Sequence, residues 1–337
     1  MARLSVLDQS PVRSGGTAAD AVHETLQLAE AADRLGYHRY WVAEHHSTSS
    51  LAGASPEILI GQIAARTTRV RVGAGGIMLT HYSALKVAEN FRMLETLFPG
   101  RIDLGIGRAP GSDQRTARAL RPGGGLGLEH FPGQVADVLA FVHDQVPPGH
   151  PFAGVRAMPI GPTAPEVWLL GSSDESGALA AHFGTAFSFA HFINSDGGAL
   201  VTGAYRERFR PSPWLGEPRA SVAVFVVCAD TEPEARRLAQ SRDLFIARLY
   251  TGRPGPFPSV EEAEAYPYST QELAIIEHAR ARTIAGTPAQ VRARLLGLGR
   301  EYGVDEFVVV TITHDPKARL RSYELLAAAF GLDRSGG

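Results

Sequence analysis

The chain predicts an α/β fold, a (β/α)8 TIM barrel with insertion loops at the C-terminal face of its strands. Two observations carry that prediction. Short β-branched or aliphatic runs recur along the 337 residues, each followed by a longer stretch whose apolar residues have helical spacing, the mark of repeated βα units. Eight such runs occur, at 4–7, 40–43, 70–77, 102–106, 167–170, 186–189, 222–227 and 306–311, and eight covered parallel strands favour closure into a barrel. No change of composition demands an internal boundary, so residues 1–337 are expected to form one domain.

The first helix shows how the units are built. Ala21, Leu28, Ala31, Ala32 and Leu35 form an apolar stripe between Thr17, which suits an N-cap, and Gly36, which suits a C-cap. The second strand follows at once, and such tight helix-to-strand joins belong to the stability face of a barrel, whereas longer segments after strands build the ligand face. Three long segments stand out. Residues 108–127 carry the run Gly123-Gly124-Gly125 and read as a loop that covers the mouth. Residues 251–270 are rich in proline and glycine, resist regular structure, and read either as a lid or as a surface excursion. Residues 147–165 are similar in composition.

Composition narrows the function. A net charge of -2 with no block of like charge gives no electrostatic reason to bind nucleic acid or a membrane surface, so small molecules are the expected ligands. The single cysteine, Cys228, sits in an apolar run and reads as packing, which excludes an internal disulfide and suits a reducing cytoplasm. The first residues lack a signal peptide's apolar segment, and no stretch is long and apolar enough to span a bilayer.

Four strand ends carry candidate chemistry. Glu44-His45-His46 leaves the second strand for a polar loop, where barrels place catalytic groups. Adjacent side chains on a strand point to opposite faces, which weakens a two-histidine metal site; the alternative is one packing histidine and one solvated. Gly73 to Met78 interrupts the third strand with glycines, which permit either close ligand approach or a bulge. Gly105-Ile106-Gly107-Arg108 ends the fourth strand; Pro110 breaks a dinucleotide fingerprint, while Arg108 is placed either to fork onto a phosphate or to be solvated. Gly171-Ser172-Ser173-Asp174-Glu175-Ser176 ends the fifth strand at a helix start. Its free N–H groups and hydroxyls suit a phosphate, but Ser172 and Glu175 also match a capping box, and the two acids would repel an anion unless Arg108 offset them.

Together, in this order along nearly the whole chain, Trp41-Val42-Ala43-Glu44-His45-His46, Pro56-Glu57-Ile58-Leu59, the glycine strand end, Gly105 to Arg108 and the serines resemble the bacterial luciferase-like, flavin-dependent monooxygenase family. The resemblance implies reduced FMN at the C-terminal ends of the strands, and oxygenation of a small organic substrate by O2 through a C4a-peroxyflavin. His45 matches the family's catalytic histidine, with Glu44 orienting the histidine pair or serving a structural role. Gly75 and Gly76 fall at a non-proline cis peptide beneath the flavin. Arg108, Ser173 and Ser176, with Ser172 beside them, match phosphate contacts, and Phe189, His191 and Phe192 fall beside the ring or the substrate. A separate flavin reductase as electron source, a homodimer through residues 56–66 and 83–97, and no metal are implied as well. Two other readings stand: a deazaflavin-dependent hydride transferase of the same superfamily, and a non-catalytic flavin-binding relative.

Overall fold

The computed structural model describes residues 2–109, 113–121 and 128–332. Strand formation follows the apolar runs: β1 (Arg3–Asp8), β2 (Arg39–Val42), β3 (Arg71–Met78), β4 (Ile102–Gly107), β5 (Glu166–Gly171), β6 (Ala186–Ala190), β7 (Ala220–Cys228), β8 (Thr283–Gly286) and β9 (Glu306–Val310). All pairings are parallel. Strands β1 to β6 pair in chain order, β7 joins β6, and β9 joins β7 back to β1, which closes an eight-stranded ring with helices between the strands. The eight expected strands are the staves of this barrel. The ninth, β8, was not expected; it is four residues long, only Ile284 and Gly286 in it are buried, and it pairs with Phe225–Cys228 at the end of β7. A run that short, with half its residues partly exposed, carries little periodic signal.

Local chemistry sets the helix ends. Thr17 caps the first helix (Ala18–Leu35), accepting from the Asp20 N–H at 3.1 Å while the Asp20 carboxylate accepts from the Thr17 N–H at 2.8 Å, and Gly36 ends it at φ 84°. The helix Pro56–Arg66 has the expected bounds, and Ala84–Leu97 starts one residue after its Ser83 cap. One expectation needs correction. Within residues 251–270, Ser259 and Glu262 form a capping box that starts the helix Val260–Ala265, because a Val-Glu-Glu-Ala-Glu-Ala run lies between the breakers. The segment is also pinned: Phe257 is buried, stacks on Phe245 with ring centres 4.0 Å apart, and its N–H donates to the Val12 carbonyl at 2.8 Å. The Gly123 to Gly125 run lies outside the described residues.

Alternation along the strands fills the barrel in layers. At the N-terminal end the Arg39 guanidinium is enclosed by Asp103 at 2.7 Å, Glu306 at 2.8 Å and Glu166 at 3.0 Å. Although burial pushes the Glu166 carboxyl up, the Arg39 and Arg219 cations hold it down at about 2. Two residues further along their strands, Trp41 and Trp168 meet edge to face at 5.3 Å, and their indole N–H groups donate to Asp103 and Glu166 at 2.9 and 2.7 Å. Strands β3 and β4 approach so closely that a Cβ on Gly73 would lie 2.3 Å from the Asp103 carbonyl oxygen, and one on Gly105 2.1 Å from that of Ala74. Glycine is obligatory at this seam for interstrand packing. Cys228 is buried at the end of β7, and burial pushes its thiol up to about 12, as befits a packing residue.

Candidate active site

Past the tryptophan layer the barrel opens into a cavity of about 510 Å³ at the C-terminal strand ends, within the roughly 300–1,000 Å³ usual for small-molecule sites. Its wall contains Glu44 and His45 after β2, Gly75 and Gly76 in β3, Arg108 after β4, and Ser172, Ser173 and Ser176 after β5. Four separate strand ends thus bring eight of the nine expected residues together.

His45 and His46 part company after β2. The His45 N–H donates to the Gly53 carbonyl at 2.8 Å, its ring joins the cavity wall, and Nδ1 is buried without a partner. Burial, with a smaller contribution from the neighbouring His46, pulls its pKa down to about 4, so the ring is neutral at pH 7. Because Nδ1 is enclosed, a ligand in the cavity meets other atoms of this neutral ring. His46 turns instead to Glu44, its Nε2 lying 2.7 Å from Oε1. The buried Glu44 carboxylate also accepts from the Tyr82 hydroxyl at 2.6 Å and the Met78 N–H at 2.9 Å. It therefore ties the end of β2 to the end of β3 and orients His46 alone. Burial, then the bond to Glu44, raises the Tyr82 hydroxyl well above its ordinary value, so that it remains a donor.

The peptide between Gly75 and Gly76 is cis, and the register between β3 and β4 shifts across it. A Cβ on Gly76 would lie 2.7 Å from the Gly105 carbonyl oxygen, and one on Gly75 2.7 Å from the Leu7 side chain. Packing inside the wall requires these glycines, and the smooth floor they leave admits a flat group.

The helix Asp174–Phe183 begins at the rim. Its N-cap is Ser173, whose hydroxyl accepts from the Ser176 N–H, while the Ser176 hydroxyl donates to the Ser173 carbonyl at 2.6 Å. The capping box is thus Ser173 with Ser176, one residue beyond the Ser172 and Glu175 pairing the sequence suggested. Glu175 is free of the cap and instead pairs with Arg108 across the rim. A phosphate could be held here by the helix N–H groups, the serine hydroxyls and Arg108, with Glu175 as its competitor for the guanidinium.

His191 is the residue not brought to the cavity. Its Nδ1 lies 2.9 Å from the Tyr302 hydroxyl, and burial, with Arg282 and Arg294 nearby, lowers its pKa. Phe189 is buried against Phe187 and Tyr302, whereas Phe192 does line the cavity. Strand period explains the split, because alternate residues of β6, Ser188 and Ala190, face inward. The same period locates wall residues that motif reading passed over: Leu7 and Gln9, Leu170, Ala223 and Val308. Among the described residues no group of three or more histidine, cysteine or acidic side chains is placed to hold a metal ion.

Comparison with known proteins adds relatives. The sequence profile described as luciferase-like monooxygenase matches residues 2–306. The chain is 50% identical, over 98% of its length and 99% of the relative's, to the Bacillus subtilis (strain 168) protein named uncharacterized protein YwcH. It is 40% identical, over 98% of each chain, to N-acetyl-S-alkylcysteine monooxygenase of the same bacterium. The crystal structure of apo-MsnO8 superposes with a TM-score of 0.91 at 38% identity, covering 99% of each chain. Two structures share the fold at lower identity. One is the oxygenating constituent of 3,6-diketocamphane monooxygenase from Pseudomonas putida in complex with FMN, with TM-score 0.67, 20% identity and 97% of each chain covered. The other is an F420-dependent secondary alcohol dehydrogenase, with TM-score 0.70, 12% identity, and 97% of this chain and 98% of that one covered.

Proposed function

The chain belongs to the luciferase-like monooxygenase family, and from that premise we propose that it is an FMN-dependent monooxygenase acting on a small organic substrate, with reduced flavin supplied by a separate reductase. One observation carries the reading: a single cavity joins the His45 ring, the Gly75-Gly76 floor and the Arg108, Ser173 and Ser176 rim. Bound reduced FMN would supply the two electrons that activate O2, so that one oxygen atom goes to the substrate and the other to water.

The protein's part is to bind, orient and exclude water. Ser173, Ser176 and Arg108 would hold the phosphate, the glycine floor would receive the ring system, and the apolar wall from Leu7 to Val308 would limit water. His45, neutral at pH 7, would take or relay a proton. Glu44 acts one step back, by fixing the end of β2. Dimerisation is part of the proposal: Ile58, Met93 and Leu97 are each more than half exposed on the helices Pro56–Arg66 and Ala84–Leu97, which makes an apolar face suited to a second copy.

The deciding experiment titrates the protein with FMN and with a deazaflavin, then supplies the tighter ligand in reduced form with O2 and N-acetyl-S-alkylcysteines. Tight FMN binding and incorporation of labelled oxygen into product are expected. Preference for the deazaflavin with oxygen-independent hydride transfer would replace this reading, and FMN binding without turnover of any substrate would leave a flavin-binding protein.

A further inference from the structure

The cavity distributes its polar groups unevenly around the barrel. The glycine floor and the Arg108, Ser173 and Ser176 rim belong to β3, β4 and β5, and a flavin seated on them leaves the substrate the wall that runs from β6 through β7 and β9 to β1. That wall is apolar at Ala190, Ala223, Val308 and Leu7. Among the described residues it contains no charged side chain, and its polar members are Ser188 and Gln9. The carboxylate of Glu44, elsewhere in the lining, is already engaged by the Met78 N–H, the Tyr82 hydroxyl and His46.

Both polar side chains of this wall keep bonding capacity that the fold does not use. The Ser188 hydroxyl on β6 accepts from the Ser221 hydroxyl at 2.8 Å, so its own O–H is left to donate. Gln9 follows β1, is half-buried, and among the described residues its side-chain amide makes no hydrogen bond. The backbone around it is nevertheless pinned. Asp8 accepts from the Arg319 guanidinium at 2.6 Å and the Tyr40 hydroxyl at 2.5 Å, and the Ser10 carbonyl accepts from the Ala52 N–H at 2.9 Å. The Gln9 amide is thus held in the cavity wall with a donor and an acceptor both open. A ligand that fills the cavity takes these groups out of water, and any left unpaired lowers its affinity. An ionised group against the same wall would meet no opposite charge.

We propose that this wall selects uncharged substrates and that Ser188 and Gln9 are its two hydrogen-bonding contacts. The enzyme's substrates are then neutral molecules that bear a carbonyl, such as amides and esters, and carboxylic acids are the poorer ligands. Ser188 donates to a neutral oxygen, and Gln9, which can both donate and accept, pairs with a second oxygen or with an N–H. This deepens the monooxygenase reading and rests on it for the side of the cavity that the flavin takes.

The test is calorimetry on the protein loaded with oxidised FMN, using N-acetyl-S-benzylcysteine and its primary amide, which match in shape and differ in charge. The wild type should bind the amide roughly tenfold more tightly than the acid. Ser188→Ala and, separately, Gln9→Met should each weaken the amide about two- to tenfold, the scale of one neutral hydrogen bond, and leave FMN affinity as it was. Ala190→Lys, which adds a cation to the wall, should move the preference toward the acid. Failure of the amide to bind, acid bound as tightly as amide, amide affinity unchanged in both Ser188→Ala and Gln9→Met, or a preference untouched by Ala190→Lys would overturn the proposal. A loss of FMN affinity in Ser188→Ala and Gln9→Met would overturn it too, by assigning both residues to the flavin. Should the wild type fail to bind FMN, the cofactor reading fails by itself, and the amide must still win over the acid on the flavin-free protein.

Discussion

The two ends of the barrel arrange their charged groups in different ways. At the N-terminal end Arg39 is enclosed by three carboxylates, and two indole N–H groups donate to the same Asp103 and Glu166 oxygens that face it. At the C-terminal end, among the described residues, His45 Nδ1 has no partner, Arg108 leans on a half-exposed glutamate, and Arg242 has no acid within ion-pairing distance. The first end pairs its central cation with acids, although among the described residues Glu306 Oε2 and His38 Nε2 have no hydrogen bond there; the second surrounds a cavity that can take a ligand. Polar groups that a fold leaves unsatisfied at one end of an otherwise well-paired interior are the places where binding energy is held in reserve.

The largest effect that would probe this contrast is at the closed end. Arg39→Met should lower unfolding free energy by about 3–5 kcal/mol, since it strands buried carboxylates, and urea denaturation would show it. A change under about 1 kcal/mol, the scale of a surface pair, would mean that the network contributes no more than exposed charges do. At the open end the cost should fall on function: His45→Asn is expected to reduce turnover by about a hundredfold or more while FMN affinity and the urea midpoint hold. Equal losses in stability and turnover would erase the distinction between the ends.

Smaller changes sharpen it. Arg108→Ala should weaken FMN roughly tenfold or more, whereas Glu175→Gln should tighten it several-fold by freeing the guanidinium; fluorescence titration of both variants reads the competition directly. The smallest expected effect is in pH dependence. His45 titrates near 4 in the folded chain and near 6.5 when unfolded, so the unfolded state binds more protons between those values, and stability is lost as pH falls through that window. His45→Asn should flatten the melting-temperature profile between about pH 6.5 and 4. An unchanged slope would show that the ring is not shielded as described.

Most of the barrel was legible because its strands are buried on both faces and read as continuous apolar runs, and because caps such as Thr17 and Gly36 have few alternatives. Strand β8 was not, since four residues paired with only one neighbour carry no periodic signature. At the site, position at a strand end located His45, Arg108 and the serines. It misplaced His191, because strand phase sends that side chain to Tyr302. Charge partners were the least legible of all: Glu175 on Arg108 and the absence of an acid on Arg242 join residues that are 67 positions apart or, in the second case, do not meet. Motifs mark which residues arrive at the mouth, and only the folded chain sets which of them are already spoken for.

The seam between β3 and β4 divides the cavity wall into a fixed half and an adjustable half. At Gly73, Gly76 and Gly105 any added methyl group strikes a carbonyl of the neighbouring strand, so these three positions cannot be enlarged without moving the two strands apart. Across the mouth, Ser188, Ala190 and Ala223 are small residues facing open volume. New substrate preferences must therefore arise by enlarging or recharging the β6 and β7 wall, and a library aimed there would search the variation that the architecture leaves open.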